Sequence, residues 1–360
     1  MLKKIFSFLF IICLFISSCD PKSTDSSPEI WEQKSEMLTN WVDNFISPSY
    51  GNLLAKLDVL QQSGNTFSES VNQQNLENLR SSFVDAYLSW QYVEMFNIGP
   101  AEESYFNSRM NVFPTTVARI ELNVENGNTD FNNTNNLPAQ GFPALDYLLY
   151  GIEDSDDLIV LKYNTEQNYL SYLTEVIDQM LQNTYPIVEE WGTYRNTFVN
   201  SVENTATSSV NKMTNDFIYY YEKGFRANKF GIPAGVFSGT ALPEKVEGYY
   251  NKNISKQLAL EAFQAITTFY NGNGGVSLSQ YIDDVATEGY SDLSTDVLVQ
   301  FDITEELING LDNNFYNQIL TDKIKFLETY DAIQQGTILL KTDMLSVLQI
   351  ATDYVDADGD

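Results

Sequence analysis

Apolar residues in this chain recur at three- and four-residue steps from residue 29 onward, and no comparable run alternates apolar with polar positions. Ile30, Met37, Leu38, Trp41 and Phe45 keep this spacing, as do Leu76, Leu79, Phe83, Tyr87 and Trp90. A period near 3.6 gathers such positions on one face of an α-helix, whereas a half-buried strand needs a period of two. Helix is therefore the expected regular structure throughout, with negligible β. With 43% apolar and 13% aromatic residues, the chain has enough apolar surface to enclose a large core.

The periodicity predicts an amphipathic helix over 81–96 that stops near Gly99-Pro100, a long Asn/Gly/Thr-rich loop over 123–140, and one or two helices over 166–202 broken at Pro186. A helix over 208–226 follows. Phe230-Gly-Ile-Pro-Ala-Gly-Val-Phe-Ser-Gly239 reads as a break in regular structure, a shaped loop whose backbone amides could approach a ligand. Helices are expected again over 255–270, 278–286 and 295–311, with Asn271-Gly-Asn-Gly-Gly275 interrupting them. The final helix, over 321–352, carries two apolar stripes, one through Phe326, Ile333 and Met344 and one through Ile324, Ile338 and Leu348, so burial on much of its circumference is expected. No repeat of 20 to 50 residues is visible, which argues against a solenoid.

The amino terminus has Lys3 and Lys4, an apolar run from Ile5 to Ile16 and then Ser17-Ser18-Cys19, the layout of a secretory signal. Ile-Ser-Ser-Cys resembles a bacterial lipobox, in which Cys19 becomes the lipid-bearing first residue of the processed chain; the bland alternative is an ordinary cleaved signal. The run falls short of the roughly 18 to 20 residues that a membrane span needs. This reading divides the chain into a signal at 1–18, a flexible tether at 19–28 and a folded region at 29–360. It places the protein in the cell envelope, held to the outer membrane by lipid alone. The other cysteine, Cys13, lies within the signal, so no disulfide is expected after processing.

Removing Lys3 and Lys4 from 20 basic residues leaves 18 against 49 acidic ones, a net charge of −31. Such a surface repels nucleic-acid phosphates and anionic lipid head groups, and it tolerates or attracts cations. The chain contains no histidine, which excludes a Ser-His-Asp triad, a Cys-His pair and a His-Glu-x-x-His zinc helix. Glycines 272, 274 and 275 miss the Gly-x-Gly-x-x-Gly spacing, so no nucleotide loop is expected.

What remains is a set of polar residues placed in apolar helices. Glu94 follows Trp90 by four residues and shares the face of Tyr87. Asp146 falls in the first turn of a helix that Pro143 starts and Gly141 precedes. Lys341 and Asp343 lie within Ile338-Leu-Leu-Lys-Thr-Asp-Met-Leu345, where charge is costly unless paired. Converged, these four would form a mixed-charge pocket between helices. The structural alternatives are that Asp146 only complements a helix dipole and that Glu94 and Lys341 form a buried ion pair fixing helix register. A cation held by such groups would be a hard one, Ca²⁺, Mg²⁺, Mn²⁺ or iron, rather than zinc.

Gly141-Phe-Pro-Ala-Leu-Asp-Tyr-Leu-Leu-Tyr-Gly151 resembles the signature of the imelysin-like family, also known as peptidase M75, in which a Gly-x-His-x-x-Glu pattern opens a helix. Here Gly141 is kept, Pro143 stands at the histidine position and Asp146 at the glutamate position. Trp90-Gln-Tyr-Val-Glu94, the segment from Lys229 through Gly235 and Ser238 to Glu247, and Lys341-Thr-Asp-Met344 are similar to further segments of its Bacteroidetes-type members. The resemblance implies an all-α fold of two helical-bundle halves, about 29–205 and 206–360, with a ligand site between them. It also implies a link to iron or haem uptake; in that setting a haem or iron ligand or an outer-membrane transporter is the expected partner. The peptidase label comes with the family, but proline can serve neither as metal ligand nor as general base through its side chain. A non-enzymatic binding protein is therefore the leading expectation, a carboxylate- or metal-dependent peptidase the second, and a scaffold docked on a transporter the third.

Overall fold

Three- and four-residue spacing is realised as helix in every regular element of the computed structural model, which describes residues 28–127 and 129–354. The signal, Cys19, the tether up to residue 27 and the acidic end from residue 355 lie outside the described residues. No strand occurs among the described residues.

α1 (Pro28–Trp41) passes through a π turn (Val42–Ile46) into α2 (Ser47–Glu69). α3 (Gln73–Trp90) starts at Asn72, whose side chain accepts the Asn75 N–H at 3.0 Å, and packs along α2. Two short helices, α4 (Pro100–Glu103) and α5 (Phe106–Met110), precede α6 (Val117–Asn126), α7 (Gly141–Tyr150) and α8 (Asp156–Thr165). α9 (Gln167–Val199) closes the first half and lies against α2 and α7.

In the second half, α10 (Ser209–Tyr219) runs into a π-helical segment (Tyr220–Gly231) and α11 (Ile232–Ala234). α12 (Ser255–Asn271), α13 (Leu278–Val285) and α14 (Leu293–Asn309) follow. α15 (Phe315–Thr321), α16 (Lys323–Ile338), a π turn (Leu339–Met344) and α17 (Leu345–Leu348) complete it. A continuous apolar core reaches from Met37 to Ile350. Trp41 and Phe96 of the first half lie 4.8 and 5.6 Å, ring centre to ring centre, from Phe269 of the second, so burial ties the halves together.

Five boundaries differ from the sequence expectation. α3 ends at Trp90 rather than near 96, and residues 91–95 form a turn. α6 extends to Asn126, where Gly127 caps it at φ +64°, and a 3₁₀ turn (Thr134–Ala139) occupies much of the expected loop. α9 continues for 33 residues through Pro186. Pro186 and Gln182, whose carbonyl loses its intrahelical donor, are both exposed, so water can serve that carbonyl while packing on either side holds the helix.

Helix also persists through Phe230-Gly231-Ile232 and breaks only at Gly235, where φ is +79° and a Cβ would come within 2.2 Å of the Thr240 carbonyl oxygen. The last helix is interrupted at Asp322, which caps the Lys325 N–H at 3.2 Å. Ile324 and Ile338 of its second stripe are 71% and 44% exposed, so the first part of that stripe is not buried as expected, while Leu348 is. The π turn follows both residues and rotates the positions beyond it around the axis, where Leu345 and Leu348 are buried.

Candidate functional site

The turn that follows α3 brings Gln91 and Glu94 inward, and the end of α5 brings Asn111 beside them. Tyr220 and Lys229 come from the π-helical segment of the second half, and Glu247 from the strap that leads into α12. Gly248, at φ +70° and closed in by Ile254, lets that strap turn immediately after Glu247.

Lys229 is 2% exposed and donates to Gln91 Oε1 at 2.8 Å and to Glu247 Oε2, with Glu94 Oε2 3.7 Å away. Asn111 Nδ2 donates to Glu94 Oε1 and Glu247 Oε1, each at 2.8 Å, and Gln91 Nε2 reaches Glu247 Oε1 at 3.2 Å. Tyr87 donates its hydroxyl to Asn111 Oδ1 at 3.0 Å, and Tyr220 donates to Glu94 Oε2 at 3.1 Å. Two carboxylates and one ammonium are thus joined by amides that supply and accept at fixed angles, which a charge buried this deeply requires. Burial pushes Glu94 above the ordinary carboxylate range; Lys229 opposes that shift and Glu247 adds to it.

Glu94 and Asn111 face a cavity of about 400 Å³, lined also by Asn107, Asp216, Tyr219 and Tyr220, with Glu102, Tyr105 and Lys223 around it. The Asp216 side-chain carboxyl accepts no hydrogen bond among the described residues. Burial, with Glu102 and Asp353 nearby, pushes its carboxyl up to about 8. The lining thus carries three carboxyl groups and a single lysine among amides and hydroxyls.

Asp146 stands at the sixth position of α7, beyond the first turn, and does not act on the helix dipole. Its carboxylate, 2% exposed, accepts the backbone N–H groups of Tyr250 and Asn251 at 2.8 Å each. Burial pushes it up to about 7 against the pull of those two donors, and Glu247 adds to the rise. Asp146 and Pro143 line a separate cavity of about 180 Å³ with Phe113, Tyr249 and Tyr250. Gly141 opens the helix at φ +73°, where a Cβ would lie 2.1 Å from the Met110 carbonyl oxygen, so the glycine is required by backbone packing.

The four expected site residues do not converge. Glu94 belongs to the Lys229 cluster, and Asp146 adjoins it through the strap that bears Glu247. Lys341 instead pairs with Glu222 at 3.0 Å, where Arg226 at 3.5 Å and the Tyr354 hydroxyl at 2.8 Å also meet that carboxylate. The expected Glu94–Lys341 ion pair is therefore not formed. Asp343, partly exposed on the π turn, joins neither cluster. In the mid-chain segment Gly235 shapes the turn, Ser238 is exposed and bonds Thr240 O at 2.8 Å, and only Glu247 reaches the buried cluster.

Sequence reasoning missed Lys229, Glu222, Gln91 and Asn111. A signal existed in Tyr220-Tyr-Glu-Lys-Gly-Phe-Arg-Ala-Asn-Lys-Phe-Gly231, where charged residues are embedded among aromatics. A 3.6-residue template cannot assign their direction, because i→i+5 turns place side chains on a different period. The amides carry no charge pattern to find.

A hard cation fits the cluster poorly, because the Lys229 ammonium already stands among Glu94, Glu247 and Gln91. Among the described residues no group of three or more His, Cys, Asp or Glu side chains is placed to hold a metal ion. A carboxylate pair made of Glu94 and Asp146 is not present either, since the two face different cavities and Asp146 is engaged by backbone donors.

The sequence profile described as Imelysin (Peptidase_M75) matches residues 46–340. No curated protein sequence matches the chain. Among solved structures, it is similar to an imelysin-like protein from Psychrobacter arcticum 273-4, with a TM-score of 0.73 and 19% identity over 90% of this chain and 98% of that one. It is also similar to an iron-regulated protein A precursor from Parabacteroides distasonis ATCC 8503, with a TM-score of 0.69 and 17% identity over 87% and 95% of the two chains.

Proposed function

The chain belongs to the imelysin family, and from that premise we propose that it is an iron-related binding protein of the cell envelope that takes its ligand in the cavity above Glu94. The observation that carries this reading is the Glu94 carboxylate itself. It is held by Asn111 of the first half and Tyr220 of the second, at the floor of a cavity to which both halves contribute. Such preorganisation favours binding, since the ordering of the site precedes the ligand. The iron link is supported by the name of the Parabacteroides distasonis relative and not by a ligand set in this chain.

Glu94 and Glu102 against Lys223 favour a ligand that presents positive charge or hydrogen-bond donors, and Asp216 adds its charge only as pH approaches 8. Of the ligands expected in an iron-uptake setting, a cationic group suits this lining better than an anionic porphyrin. A lipid on Cys19 would hold the protein at the outer membrane, near a transporter able to receive or deliver that ligand. No helix among the described residues is long and apolar enough to cross a membrane. Peptidase activity finds no support in the arrangement of Glu94 and Asp146.

Calorimetric titration of the processed chain with arginine amide, ferric ion and haem tests the reading. Arginine amide is expected to bind, with at least tenfold weaker binding in Glu94→Gln. Equal heats for wild type and variant with all three probes would overturn it. Metabolic lipid labelling, lost in Cys19→Ser, tests the anchor.

A further inference from the structure

The cluster around Lys229 has the composition of a cation site whose cation is part of the chain. Glu94 Oε1 and Glu247 Oε1 are bridged by one donor, Asn111 Nδ2, at 2.8 Å from each, so the two carboxylates face each other across a short gap. Like charges so close in a buried site need a positive partner between them. Lys229 Nζ supplies it, bonded to Glu247 and to Gln91 Oε1 and 3.7 Å from Glu94. Its oxygen partners are two carboxylates and an amide carbonyl, the donor set that a hard divalent cation would take.

We infer that Lys229 is a built-in cation that occupies the metal position of this site, so that the protein assembles and holds its two halves together without a metal ion. The segment that delivers it supports this assignment. Lys229 lies on the π-helical Tyr220–Gly231 stretch of the second half, while Gln91, Glu94 and Asn111 belong to the first, so the ammonium bridges the halves as a bound ion would. Glu247 reaches the same point because Asp146 fixes its strap to α7. The inference is independent of which ligand enters the neighbouring cavity.

The test is thermal unfolding and calorimetry of the processed chain with Mn²⁺, Ca²⁺ and a chelator. For wild type, no binding of either ion at the cluster and an unchanged Tm in chelator are expected. Lys229→Ala removes the ammonium and leaves room between two carboxylates; its Tm is expected to fall by several degrees, and Mn²⁺ is expected to restore most of the loss. Lys229→Met fills the same space without charge, so its Tm should fall without recovery in Mn²⁺. Should Lys229→Ala not fold, the uncharged pair Lys229→Met/Glu247→Gln carries the test, with an expected Tm near wild type and no response to either ion. Binding of Mn²⁺ or Ca²⁺ by wild type that is lost in Glu247→Gln would overturn the inference. So would a Lys229→Ala variant that folds and shows no response to metal.

Discussion

The Asp146 carboxylate accepts the backbone N–H of Tyr250 at 2.8 Å across 104 positions of sequence. Together with the Asn251 N–H, it makes the signature helix and the strap that bears Glu247 one unit. A side chain read from the sequence as a candidate ligand thus acts on the candidate site at one remove, by holding its neighbour in place.

Asp146→Asn keeps one acceptor and turns an NH₂ group toward a backbone N–H. The loss of stability near pH 7 is expected to be about 1–3 kcal/mol, measured by urea unfolding. Arginine amide binding should weaken alongside it, because Glu247 and, through Asn111, Glu94 lose their support.

Asp216 gives a pH signature. Its folded-state carboxyl lies at about 8 against an ordinary 3.8, so between these values the unfolded chain releases a proton that the folded chain keeps. Stability contributed by Asp216 is therefore full below pH 4 and declines as pH rises toward 8. Asp216→Asn should be more stable than wild type by on the order of 1–2 kcal/mol above pH 8, with the difference vanishing near pH 4. Unfolding curves recorded across that range check both the sign and the window.

Gly141→Ala should be among the most damaging single changes. It combines φ +73° with a Cβ 2.1 Å from the Met110 carbonyl oxygen, and a loss of at least ~2 kcal/mol is expected from chemical denaturation. Pro143→His, which restores the family's signature residue, tests a different point: it should leave the chain without chelator-sensitive proteolysis of unfolded protein substrates.

Lys341→Met separates the two charged clusters. It removes one of several partners of Glu222, so a loss of about 1 kcal/mol or more is expected in thermal or urea unfolding. Arginine amide binding above Glu94 should be unchanged, since Lys341 does not line that cavity. Tyr220→Phe should do the reverse, with a small loss of stability, about 0.5–1.5 kcal/mol, and a clear loss of affinity.

Helical spacing made most of the fold legible, because an apolar stripe on a helix has one period and the core selects it. Leu76, Leu79, Phe83, Tyr87 and Trp90 are all buried on α3 as that period requires. The signature identified the family for the same reason: Gly141 is locked by a backbone contact that few alternatives satisfy. Glu94 was legible as an inward-facing acid. Pro186 and the break expected at 230 misled, since a local residue preference of a few kcal/mol yields to packing along a whole helix.

Sequence by itself determined the helical class, the strongly acidic surface, the lack of histidine chemistry and the glycine-opened helix of the family. Tertiary structure alone decided which charges meet. Lys229 joins Glu94 and Glu247, and Lys341 joins Glu222, because π turns at Tyr220–Gly231 and Leu339–Met344 rotate side chains off the α-helical period. Buried charges find partners by proximity in space, at low dielectric and across more than a hundred residues of chain, and no spacing rule along the sequence encodes that proximity.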